Sequence, residues 1–159
     1  MLNRDNSTDS TLWTFYTLSS SSLVKNILSQ DNDIALVQLE NDDIISNLCL
    51  PKTDIMNECV IAVWNNSSQG NYDITYQSVS ILPTEYCNSS YIEEKSLANY
   101  ICINNTNSFC QSGAPLICTD TDGYWQLNGI LRSRTCNNIM PELYISILSH
   151  LSWIHSVIG

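Results

Sequence analysis

The stretch CQSGAPLIC, residues 110–118, begins as a loop of small residues around Ser112 and closes on a short apolar run, APLIC. Similar runs lie on both sides of it: LVKNIL, DIALVQL, ECVIAVW, ITYQSVSIL and YICI before, YWQLNGIL and ELYISI after. They are rich in Val, Ile and Tyr and bounded by Asn, Asp, Ser, Gly and Pro. That is the pattern of short strands joined by turns, and it predicts an all-β chain, a sandwich or a barrel. Trp13, Phe15 and Thr17 alternate as one further strand would, before a serine loop at Ser19 to Ser22. Only the carboxyl end has helical spacing, where Leu148, Leu151, Ile154 and Ile158 form one stripe of a short closing helix. A brief helix is also expected at PTEYCNSS, with Thr84 as its cap.

With 159 residues the chain has the length of one domain. Six Lys and Arg against sixteen Asp and Glu give a formal charge of −10, which opposes binding to phosphates and to anionic lipid, so nucleic acid and membrane surfaces are poor candidates as partners. Hydrophobic residues make up 43% and charged ones 14%, too apolar for a disordered acidic tail. None of the seven cysteines sits in a C-x-x-C pair, so disulfides are expected rather than zinc, and no metal or cofactor site is called. N-x-S/T acceptors at Asn6, Asn65, Asn66, Asn88 and Asn104 fit a secreted chain with glycosylated loops. Yet the polar opening MLNRDNSTDS has no leader-like apolar core, and no run is long enough to span a membrane. The expectation is that Met1 is not the natural start, and that upstream sequence supplies the secretion signal and the partner of the odd cysteine.

Several motifs together resemble the trypsin-like serine proteases. DNDIALVQLENDDI followed by NLCLP is similar to the strand and loop around that family's catalytic aspartate, usually D-I-A-L-L, which makes Asp33 the counterpart. CQSGAPLIC resembles the nucleophile loop, usually C-Q-G-D-S-G-G-P-L-V-C, and puts Ser112 at or next to the nucleophile. WQLNGIL, Cys136, PELYISI and LSWIHSVI continue the likeness to Gly159. Cysteine positions alone leave 15 pairings of six open. The resemblance implies one of them: Cys59 with Cys118, Cys87 with Cys102, and Cys110 with Cys136. Cys49 is left over and, by the same resemblance, is expected to bond an upstream half of the protein. The implied fold is a pair of six-stranded antiparallel barrels with the active site between them. Residues 1–45 would be a remnant of the first barrel, and 46–159 the complete second barrel with its closing helix.

Serine proteolysis needs a hydroxyl nucleophile, a histidine to take its proton, an aspartate to orient the histidine, and backbone donors for the oxyanion. The family's histidine precedes the aspartate in an A-A-H-C motif, whereas this chain has only His150 and His155, expected to be exposed residues of the terminal helix. Between Cys110 and Gly113 stand two residues, Gln111 and Ser112, where the family has four. The lost Gly supplies an oxyanion donor, whose removal typically costs ~10²–10³ in rate. The lost Asp anchors the new amino terminus formed on activation. Asp33 and Ser112 are therefore read as vestiges. In the specificity pocket, Ser108 falls where the trypsin branch has its floor aspartate. Arg132, Ser133 and Arg134 replace the S-W-G edge, and Glu142 replaces a wall glycine. An Arg134–Glu142 ion pair plugging the pocket is expected, with two solvated surface charges as the alternative. The functional expectation is a secreted, non-proteolytic homologue that binds a protein or peptide ligand. The alternative is a truncated product of an active serine endopeptidase.

Overall fold

The computed structural model describes residues 24–30, 34–39, 48–66, 72–87, 94–104, 113–132 and 141–159. The alternation expected at Trp13, Phe15 and Thr17 lies outside them. Each of the eight apolar runs becomes a strand: β1 (Val24–Gln30), β2 (Ile34–Leu39), β3 (Cys59–Asn66), β4 (Tyr72–Leu82), β5 (Tyr100–Asn104), β6 (Pro115–Thr119), β7 (Trp125–Leu131) and β8 (Glu142–Ser146). The closing helix is α1 (Ile147–Ile158), and the brief helix is a single 3-10 segment at Thr84–Cys87. A second 3-10 segment at Glu94–Asn99 was not expected.

Strands β3 to β8 form a closed antiparallel barrel in the order β3-β4-β5-β8-β7-β6, with β6 returning to β3. Closure removes the exposed edges that would otherwise template aggregation. Alternate residues face inward, so Ile61, Val63, Ile103, Leu116, Leu131 and Tyr144 build the barrel core. A disulfide joins Cys59 to Cys118, which stand opposite each other across the closing β3–β6 seam. A second joins Cys87 to Cys102 and packs with Leu143 outside the barrel. These are two of the three expected pairs; Cys110 and Cys136 lie outside the described residues.

The register of β6 on β7 slips by one residue. Leu116 faces Gly129 while Ile117 faces Leu127, which leaves Asn128 as a bulge. Asn128 is buried, and its side-chain Oδ1 accepts the Cys118 N–H at 3.2 Å. The slip turns Leu127 away from the barrel interior into a second core with Ile34, Ile147 and Ile154. That outer core holds α1 and the β1–β2 hairpin against the barrel, with Leu36, Leu48 and Leu50 packed around it. Residues 48–50 run along β7, where the Leu127 N–H donates to the Cys49 carbonyl at 2.9 Å. Cys49 itself is a half-buried free thiol.

Ser146 caps α1. Its backbone is extended at φ −73° and ψ 121°, and its Oγ accepts the Ser149 N–H at 3.5 Å. Among the described residues no helix is long and apolar enough to cross a membrane.

Candidate functional site

Asp33, Ser108, Ser112 and Arg134 lie outside the described residues, but the positions immediately following Asp33 and Ser112 are held firmly. Ile34 is buried in the outer core against Ile147 and Ile154, so the start of β2 is fixed on α1. Gly113 has φ +84°, a left-handed backbone that a residue with a Cβ adopts only at a cost of ~1–2 kcal/mol. Its N–H donates to the Leu131 carbonyl at 3.0 Å, and the Leu131 N–H donates to the Ala114 carbonyl at 2.9 Å. This reciprocal pair pins the exit of the CQSGA loop to the end of β7. Ala114 is buried there, so the small residue in place of a family glycine is accommodated.

The end of β7 leads directly into Arg132, the first of the residues expected at a substrate edge. The Arg132 N–H donates to the Leu143 carbonyl at 3.0 Å. Its guanidinium donates to the Tyr100 hydroxyl at 2.7 Å and lies 5.1 Å from the centre of the Tyr100 ring, within cation–π range. A small residue at position 132 would leave this space open; the arginine fills it and is half-buried.

Glu142 corrects one expectation. It is 3% exposed, so it is not a solvated surface charge. It shares the inward face of β8 with Tyr144, whose hydroxyl donates to Glu142 Oε2 at 3.5 Å. Burial first, then the charge of Glu142 and this hydrogen bond, hold the Tyr144 phenol well above its ordinary range, so it stays neutral and able to donate. The residues contacted by Arg132 and Glu142 lie on opposite faces of β8: Tyr100 packs beside Leu143, Tyr144 in the barrel core. Neither tyrosine stood out in the sequence. The Glu-x-Tyr alternation of ELYIS was a signal for Tyr144, whereas Tyr100 follows a segment without readable periodicity.

The histidines also differ in part from expectation. His155 is exposed, but His150 is half-buried. His150 Nδ1 lies 2.8 Å from the Ser146 carbonyl and 3.0 Å from Ser149 Oγ, engaged in the first turn of α1. Ser149 Oγ donates to that same carbonyl at 2.8 Å, so the Ser–His contact is part of a helix terminus and not an activated nucleophile. Asn65 and Asn66 end β3 and Asn104 ends β5, so these three acceptors sit at strand ends and not in free loops. Asn6 and Asn88 lie outside the described residues. Among the described residues no cluster of His, Cys, Asp and Glu is arranged to hold a metal ion.

Comparison with known proteins places these features in context. The family model described as Trypsin matches residues 7–154. Snake venom serine proteinase 12 of Crotalus adamanteus is 31% identical over 166 residues, covering 91% of this chain and 60% of the relative. Tissue-type plasminogen activator of Pongo abelii is 28% identical over 155 residues, covering 79% of this chain and 27% of the relative. The chain therefore spans less than two thirds of the length of these relatives, 60% of one and 27% of the other. Among solved structures, kallikrein-related peptidase 10 superposes with a TM-score of 0.59 at 26% identity, over 78% of this chain and 64% of that one. Neuropsin, a serine protease expressed in mouse brain, superposes with a TM-score of 0.63 at 22% identity, over 87% and 72%, which speaks for the fold alone.

Proposed function

The chain belongs to the trypsin family, and on that premise we propose that it is a non-proteolytic, extracellular member that binds a protein or peptide ligand. The observation that carries this reading is internal to the chain: only Gln111 and Ser112 separate Cys110 from Gly113. A loop two residues shorter than the family's lacks the glycine N–H that stabilises the oxyanion and the aspartate that anchors an activated amino terminus. Neither His150 nor His155 stands in for the family's general base, since both belong to α1. Asp33 and Ser112 then persist as vestiges beside Ile34 and Gly113.

In this reading β1 and β2 are the remnant of a first barrel, and the free thiol of Cys49 bonds a segment upstream of it. The specificity pocket, bordered by Ser108, Arg132, Arg134 and Glu142, is closed to a substrate side chain by an Arg134–Glu142 pair. Two disulfides among the described residues and five N-x-S/T acceptors in the sequence support an extracellular setting. The deciding test is a fluorophosphonate probe applied to the full-length protein. Ser112 is expected to remain unlabelled under conditions that label an active relative, and stoichiometric labelling at Ser112 would overturn the reading in favour of a working endopeptidase.

A further inference from the structure

Asn104 is the last residue of β5, and it reverses the burial of that strand. Ile101, Cys102 and Ile103 are buried, while Asn104 is exposed. It opens an Asn-Asn-Thr acceptor that ends at Thr106. In register it stands directly opposite Ser80 of β4, so the two share one face of the sheet. Ser80 belongs to the outward row of β4, Ile74, Tyr76, Ser78 and Ser80, every member of which is exposed. Two of the four are large and apolar: Tyr76 is 67% exposed and Ile74 is 42% exposed. At the far end of the same face stands one more acceptor, because Asn66 pairs with Tyr72, two places before Ile74, whereas Asn65 pairs with Asp73 and falls on the other face. The row is exposed, two of its four members are large and apolar, and a sugar acceptor stands at each end.

We propose that Asn104 is N-glycosylated and that its sugar chain lies along the outward row of β4, over Tyr76. In the transfer, the Asn104 amide nitrogen loses a proton and bonds to C1 of the first sugar of a lipid-pyrophosphate-linked oligosaccharide. The lipid pyrophosphate departs, and nothing is oxidised or reduced. Tyr76 lies four residues along the strand from Ser80, ~13 Å at ~3.3 Å per residue, within reach of a branched oligosaccharide. The apolar ring is a surface for the C–H faces of sugars, while the attached chain keeps the row from associating with other molecules. This inference rests on the extracellular reading above.

The test secretes the full chain from eukaryotic cells behind a supplied leader and removes sugar enzymatically in heavy-oxygen water. Position 104 is expected to return as heavy-labelled aspartate, and Thr106→Ala, which keeps the asparagine, is expected to lose one sugar chain from the intact mass. Recovery of unmodified Asn104 overturns the proposal, whatever the other acceptors carry. The same mapping on protein from its natural source separates the two failures. Sugar at other acceptors with Asn104 bare refutes this inference and leaves the extracellular reading standing; no sugar at any acceptor refutes both. For the covering role, Thr106→Ala is expected to bind an apolar dye more than the parent, and adding Tyr76→Ser is expected to abolish the increase. Equal dye binding by parent and Thr106→Ala would show that the sugar does not lie over Tyr76.

Discussion

At Gly129 a single added carbon would stand 3.0 Å from the Tyr144 Cβ, 3.3 Å from the Ile145 carbonyl oxygen and 3.4 Å from the Leu116 Cβ. Two of these neighbours are Cβ atoms bonded directly to the backbone and the third is backbone itself, so none can swing aside. Gly129→Ala is therefore expected to destabilise the fold by about 1–3 kcal/mol, the usual cost of overpacking, read as a lower urea midpoint at unchanged slope. The space this glycine leaves is taken by Tyr144, which is fully buried and hydrogen-bonded to Glu142. Its phenol ionises near pH 10 in the unfolded chain and well above that in the folded one. The folded state thus holds the proton where the unfolded state releases it. The contribution of Tyr144 is complete below about pH 10 and is lost as pH rises toward the folded value, by ~1.4 kcal/mol per pH unit. Urea titrations between pH 9 and 11 are expected to show this slope in the parent and a shallower one in Tyr144→Phe. Equal slopes would mean that the phenol titrates normally.

The strand β7 shows where a sequence stops being readable at the level of elements. In WQLNGIL, strict alternation puts Leu127, Gly129 and Leu131 on one face. The structure keeps Gly129 and Leu131 inside the barrel but sends Leu127 out to meet α1, because Asn128 is the extra residue of a bulge. No local pattern marks that bulge. It is set by the Asn128 side chain, which stands in for a backbone acceptor at the Cys118 N–H on the neighbouring strand. Asn128→Ala would leave this buried N–H without its partner and is expected to cost about 1–3 kcal/mol, with faster hydrogen exchange at the Cys118 amide. If that amide stays protected, the bulge is held by something other than this bond. By contrast, all eight strands were legible, because each is a short β-branched run closed by turn residues. The segment at Glu94–Asn99 was not, since a single 3-10 segment is too short for any apolar period to repeat.

Across the whole molecule the barrel is self-contained, whereas the β1–β2 hairpin depends on it. Two strands alone are at best marginally stable. One face of this hairpin, carrying Ile34 and Leu36, packs on α1 and on Leu48 and Leu50; the other leaves Ile27 62% exposed beside Val37. Motif order made the barrel, the closing helix and two disulfides foreseeable. The dependence of the hairpin on α1 was not, because helix stripe and strand lie more than a hundred positions apart in the chain and meet only in the folded molecule. That contact also holds Ile34, the residue that directly follows Asp33 in the chain. Truncating Ile154, which is buried in the same outer core, removes the surface on which β2 begins. Ile154→Ala is expected to cost about 2–5 kcal/mol of stability. The loss should be uneven, since the barrel core has no part in it. Amides of β2 are expected to lose protection from hydrogen exchange before those of β3 and β6, whose seam is fastened by Cys59–Cys118. Uniform loss of protection across hairpin and barrel would show instead that the two form one cooperative unit, and that the position following Asp33 is held by the barrel as a whole.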